Sequence, residues 1–200
     1  MKKLDEFHSN YVHTQRVTKL CEHLVEVIPI DSSILDVGCG DGQLARLIMN
    51  KRADIEISGV DVLARRDTGI PVSNFDGTTL PFSDKSFDLV MFIDVLHHTE
   101  NPKVLLREAA RVAKKGIVMK DHTRNGFLAN ETLCLMDWVG NAKHGVALPY
   151  NYWSLREWQT AFAELKLKPR VWLKNLNLYP APIDWIFGRS LHFISLLETN

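Results

Sequence analysis

A chain of 200 residues that is 46% apolar and 24% charged has the length and composition of one compact domain with a substantial core. Its 24 basic side chains are balanced by 24 acidic ones and fall in scattered pairs such as Lys51-Arg52 and Lys114-Lys115, so nucleic acid is not an expected partner. Cys21, Cys39 and Cys134 lack any Cys-x-x-Cys spacing, which excludes a disulfide framework and a zinc ribbon and suits a reducing cytoplasm. The start of the chain turns acidic at Asp5-Glu6, so no signal peptide is expected, and no apolar run nears the roughly 18 residues of a membrane span.

Val17, Leu20, Cys21, Leu24 and Ile28 recur at three- and four-residue steps and predict an N-terminal helical segment over about 5–28, closed by Pro29. The period then shortens, and 34–37 reads as a buried strand running into glycines. A helix follows with Leu44, Leu47 and Ile48 on one face. Residues 55–61 form a second strand and 72–75 a third. Between them only 63–67 has helical character, and Gly69 and Pro71 stop it. The near-continuous apolar run 87–95 suits a central parallel strand covered on both faces. Asn101 and Pro102 then open a helix whose inner face is Leu105, Leu106, Ala109, Ala110 and Val112.

A fifth strand is expected at 116–120. Ser154-x-x-Glu157 has the spacing of a capping box and begins a helix carrying Trp158, Phe162 and Leu165. Residues 171–176 and 191–197 read as two final strands. This alternation predicts an α/β fold, a Rossmann-like doubly wound, mostly parallel seven-stranded sheet ending in an antiparallel hairpin. Residues 1–200 form one domain, and 122–152 is long enough to be a lid-like insertion.

Asp36-Val37-Gly38-Cys39-Gly40-Asp41-Gly42 lies between strand and helix, where backbone N–H groups can meet a ligand. The position where a dinucleotide fingerprint needs its last glycine is Gln43, and no Gly-Lys-Ser/Thr follows, so neither that fingerprint nor a P-loop is present.

Asp36-x-Gly38-x-Gly40-x-Gly42 resembles the first motif of the class I S-adenosylmethionine-dependent methyltransferases, in the small-molecule subgroup. The resemblance continues through Gly59-Val60-Asp61, Phe75-Asp76-Gly77-x-x-Leu80-Pro81-Phe82 and Asp94-Val95-Leu96-His97-His98, covering about 32–120. It implies that Gly38, Cys39 and Gly40 carry the S-adenosylmethionine turn, with Asp36 holding it. It further implies that Asp61, followed by Val62, takes the ribose hydroxyls, that Asp76 and Gly77 meet the adenine, and that Ile93 and Asp94 line the methionine end. A carboxylate accepting from two adjacent hydroxyls makes charge-assisted bonds worth roughly 1.5–3 kcal/mol each.

The sulfonium carries its own leaving group, so the protein mainly aligns the nucleophile and excludes water. His98, and after it His97, are the candidate bases for a hydroxyl acceptor, because imidazole titrates near neutral pH. Asp121-His122 with Asn125 hints at a cation site, but the spacing is not specific, so these residues are expected in a surface loop and no metal is expected. All five tryptophans lie in the last third, consistent with a lid over an apolar or aromatic small molecule or with plain coverage of the sheet. The expected reaction is methyl transfer to such an acceptor, oxygen slightly preferred over nitrogen or carbon, releasing S-adenosylhomocysteine. The alternatives are a catalytically silent cofactor-binding subunit of a partner protein, and aminopropyl transfer or nicotinamide chemistry on a related sheet.

Overall fold

In the computed structural model, which describes residues 2–63, 65–141 and 149–199, each change of hydrophobic period becomes a change of element. The N-terminal half runs α1 (Lys2–Val27), β1 (Ser33–Val37), α2 (Gln43–Lys51), β2 (Glu56–Asp61), β3 (Val72–Asn74) and β4 (Phe87–Ile93). A 3₁₀ turn (Leu96–His98) leads to α3 (Pro102–Val112), β5 (Ala113–His122) and α4 (Ala129–Asn141). The chain ends with α5 (Leu155–Glu164), β6 (Lys168–Leu173), α6 (Ile183–Phe187) and β7 (His192–Glu198).

The strands form one seven-stranded sheet in the order β3-β2-β1-β4-β5-β7-β6. β1 to β5 are parallel, while β7 runs antiparallel between β5 and β6, as the sequence pattern predicts. Successive residues of the central strands alternate between two cores. Leu35, Val90 and Phe92 pack with Leu105, Leu106 and Ala109 of α3 and with Trp158 and Phe162 of α5. Ile34, Leu89 and Met91 pack with Leu20 and Leu24 of α1 and Ala45 and Ile48 of α2. Two covered faces explain why 87–95 reads as continuously apolar.

Several boundaries differ from the sequence reading for physical reasons. The buried face of α2 is Ala45 and Ile48, and Leu47 is exposed. β5 is twice as long as expected because Gly116 lets β7 come close: a Cβ there would lie 2.3 Å from the Leu197 carbonyl oxygen. β6 starts earlier and includes Pro169, tolerated because the strand is at the sheet edge and its register shifts between Pro169 and Val171. α4 and α6 lack a sequence signal. The inner face of α4 combines Ala129 and Leu133 with Asp137, so its apolar period is broken by a buried carboxylate. α4 occupies part of the anticipated insertion, whose residues 142–148 lie outside those described.

At the start of α5 the Ser154 side chain accepts from the Glu157 N–H, and the Glu157 carboxylate accepts from the Ser154 N–H at 2.7 Å. Ser154→Ala should therefore cost about 0.5–2 kcal/mol of unfolding free energy, seen as a lower urea midpoint at unchanged slope. An unchanged midpoint would mean that the cap contributes nothing to holding Trp158 in the core.

Candidate cofactor and acceptor site

Strand order reverses between β1 and β4, so their connections leave on opposite faces and a crevice opens at their C-terminal ends. The glycine turn stands on one side. Gly38, Gly40 and Gly42 all have positive φ, at 72°, 60° and 72°. A Cβ on Gly38 would lie 2.6 Å from Val95, and one on Gly42 would lie 2.5 Å from Ile70. The nearest atom to a Cβ on Gly40 is 3.6 Å away, on the flexible Arg65 guanidinium. Gly38 and Gly42 are thus closed by packing, whereas Gly40 faces a side chain that can move aside. Cys39 turns inward against Gly59, where a Cβ would lie 2.4 Å from its sulfur. Burial, with Asp36 and Asp61 nearby, pushes its thiol up to about 12, so it is a space-filling residue.

Asp61 ends β2 and is fastened to that turn. One carboxylate oxygen accepts from the Gly40 N–H at 2.8 Å and the other from the Leu63 N–H at 2.8 Å. Val62 is exposed beside it, and its methyl would lie 3.3 Å from a Cβ on Gly77, which has φ 84°. Asp76 caps its own loop, accepting from Thr79 N–H, Thr78 N–H and the Thr78 hydroxyl, and these bonds hold its carboxyl below the usual range. The sequence-predicted residues Gly38, Gly40, Asp61, Val62, Asp76 and Gly77 therefore follow the ends of β1, β2 and β3. Asp36, buried in β1, is different. Burial and the neighbouring charge of Asp61 push its carboxyl up to about 8.

On the far side, Ile93 ends β4 and Asp94 adopts φ 58°. Asp94 pairs with Arg16 of α1 and with Lys120 of β5, whose side chain is fully buried. Burial would raise the Asp94 carboxyl, but the Lys120 and Arg16 charges outweigh it and hold it well below the usual range. His97 places Nδ1 2.7 Å from Asp121. Burial alone would lower that imidazole, yet Asp121 more than compensates and keeps it above its ordinary value. His98 is partly exposed, with Nε2 3.8 Å from Asp137 of α4. His122 lies 3.6 Å from Asp94 and is pushed down to about 4 by burial and then by Lys120.

Two expectations are corrected by this arrangement. Asp121 and His122 are the last residues of β5 and are buried, not members of a surface loop, because the strand continues pairing with β7 as far as His192. Asn125 points elsewhere, accepting from the Leu155 N–H at 2.6 Å. Sequence reasoning missed Arg16, Lys120 and Asp137. A lysine within an otherwise apolar strand and an aspartate on an inward helix face were the available signals.

The Asp36 carboxyl gives a pH prediction for the ligand-free protein. Its folded value lies above its unfolded one, so between about pH 4 and about pH 8 the folded state binds more protons. Stability should fall as pH rises through that window, and Asp36→Asn should remove that part of the fall. Parallel denaturation curves for the two proteins across this range would show that Asp36 is ionised in the fold.

Residues 35–119 match the family model described as "Methyltransferase domain". Over 111 residues the chain is 34% identical to the bifunctional methionine biosynthesis protein MetXA/MetW of Rhodopirellula baltica, covering 48% of this chain and 18% of that protein. It is 27% identical to the 27-O-demethylrifamycin SV methyltransferase of Amycolatopsis mediterranei, covering 51% of this chain and 43% of the relative. The matched stretch thus spans less than half the length of each of these relatives. The fold is shared across nearly the whole chain with a SAM-dependent methyltransferase of Thermotoga maritima, at TM-score 0.69, 19% identity and coverage of 99% of this chain and 97% of the other. Matched domain, strand order and glycine turn agree: residues 35–119 match a methyltransferase domain, and the chain has the fold of the class I S-adenosylmethionine-dependent methyltransferases.

Proposed function

We propose that the chain transfers a methyl group from S-adenosylmethionine to a small-molecule acceptor held against His97 and His98, with a hydroxyl oxygen as the preferred nucleophile. The observation that carries this reading is the imidazole pair at the end of β4, with His97 fixed by Asp121 beside the crevice. In the transfer the acceptor oxygen bonds to the methyl carbon as the carbon–sulfur bond breaks. The sulfonium leaves as the neutral thioether of S-adenosylhomocysteine, and the hydroxyl proton passes to an imidazole. The Amycolatopsis relative, whose name specifies an oxygen acceptor, supports that preference. Tyr152, stacked 5.3 Å from His97, supports an aromatic or apolar acceptor.

In this reading Asp61 also binds the ribose hydroxyls through lone pairs not used by Gly40 and Leu63, and Asp76 meets the adenine across the gap between Val62 and Gly77. Ile93 and Asp94 line the methionine end, where Arg16 and Lys120 keep Asp94 ionised. A second reading, a silent cofactor-binding subunit of a partner protein, is favoured by one observation. α4 and α6, which touch one another, expose Leu135, Trp138, Val139, Trp185 and Ile186. Among the described residues no helix is long and apolar enough to cross a membrane.

Asp61→Ala should weaken S-adenosylhomocysteine binding about tenfold or more, as expected for loss of a charged hydrogen bond worth roughly 1.5–3 kcal/mol. Calorimetry on the folded variant checks this, and wild-type affinity would remove Asp61 from the ribose.

Product formation with a panel of phenols, hydroquinones and aliphatic alcohols, read as S-adenosylhomocysteine released, separates the two readings. We expect turnover with at least one hydroxylated acceptor and about 10²–10⁴-fold less with His98→Ala if deprotonation limits the rate, at nearly unchanged cofactor affinity. Tight cofactor binding with no turnover across the panel would favour the silent subunit. Undiminished turnover by His98→Ala across pH 6–9, roughly the range in which imidazole titrates, would remove that residue from the reaction.

A further inference from the structure

We propose that His97, His98 and Asp137 form a site for one divalent cation of the zinc class. Their donor atoms lie within 4.8 Å of one another, with two of the three residues buried and His98 half-buried. They come from two elements that the sequence places far apart, the 3₁₀ turn after β4 and the middle of α4. The two imidazoles are adjacent in sequence and lie close in space, with ring centroids 4.1 Å apart and planes tilted by 42°.

The surroundings of His97 match what a ligating histidine requires. Its Nδ1 is engaged by Asp121 at 2.7 Å, leaving Nε2 as the nitrogen that can give a lone pair to a metal. Asp121 is itself fixed by the Leu96 N–H at 3.1 Å and the His122 N–H at 2.8 Å, so the ring is held on its far side. A tetrahedral ion with bonds of about 2.1 Å holds its donors roughly 3.4 Å apart. The 3.8 Å between His98 and Asp137 closes to that by small side-chain rotations.

Charge decides between this group and a neighbouring one. Asp94, His97 and His122 also approach within 4.8 Å. There, however, Asp94 is already paired with both Lys120 and Arg16, and a dication would sit beside two positive charges. At the His97–His98–Asp137 group the donors are two imidazoles and one carboxylate, with Asp121 behind His97, a nitrogen and oxygen set that suits such an ion. Two nitrogens and one carboxylate also leave a coordination position for an exchangeable ligand. A bound cation occupies both imidazoles as ligands, so the proton transfer to an imidazole proposed above belongs to the metal-free chain. The cation site does not depend on that reaction.

The whole chain, stripped with a chelator and titrated with Co²⁺ without cofactor or acceptor, tests the site by visible absorption and calorimetry. We expect one equivalent bound with absorption typical of four- or five-coordinate nitrogen and oxygen ligands. His98→Gln and Asp137→Asn should each weaken binding at least tenfold, Asp121→Asn about 10–100-fold, and Cys134→Ser not at all. If Asp137→Asn fails to fold, His98→Gln, at a partly exposed position, decides the matter alone. Absence of stoichiometric binding overturns the proposal, as does binding that survives both ligand substitutions or is lost only with Cys134. A chain that binds Co²⁺ but whose metal-free form transfers no methyl group would refute the proposed reaction and leave the cation site standing.

Discussion

Three left-handed glycines in the turn after β1 are the constraint on which the site depends, and they do different work. Gly38 must let Val95 from the β4 end pack against it, and Gly42 must let Ile70 do the same from the segment before β3. These two contacts draw the edges of β1, β3 and β4 together. Gly40 touches nothing fixed, and its N–H is bound by Asp61 from β2. A side chain at Gly38 or Gly42 would meet a packing clash as well as an unfavourable backbone angle, whereas at Gly40 it would meet only the Arg65 guanidinium. One short turn thus joins the ends of β1 and β4 and leaves Gly40 as its position free of close packing, where the proposed cofactor would lie.

The second organising feature is a chain of buried polar groups along the ends of β4 and β5. Arg16, Asp94 and Lys120 form one part, and Asp121 with His97 and His122 forms the next. Removing Asp94 would take from the fully buried Lys120 the carboxylate it pairs with, a loss that commonly costs several kcal/mol. Arg16 also ties α1 to the sheet through Asp94 at the end of β4. His97 and His98 therefore stand on a rigid floor.

Much of this was legible in the sequence because it rests on local signals. Strand period, the Asn101-Pro102 start of α3 and the Ser154 capping box are each set by residues within a few positions of one another, and all three formed as expected. The glycine turn and Asp61 were legible through their resemblance to the methyltransferase motifs, which places them in order after the first and second strands. What the sequence concealed depends on distant pairing. β5 runs on to His122 only because β7 continues beside it, which converts Asp121 from an apparent loop residue into a buried anchor for His97. Likewise Asp137 looks like a solvated acid until α4 packs it near His98, and Lys120 like a surface charge until Asp94 meets it.

That the cofactor binds where Gly40 meets Asp61 is the central claim, and the amide spectrum of the ¹⁵N-labelled chain titrated with S-adenosylhomocysteine tests it most directly. The Gly40 and Leu63 resonances, both donors to Asp61, should move and saturate together. Gly126, whose surroundings hold nothing within 4 Å of a built Cβ, should stay in place. A titration to millimolar ligand that leaves Gly40 and Leu63 unmoved, or shifts only resonances elsewhere, would contradict it.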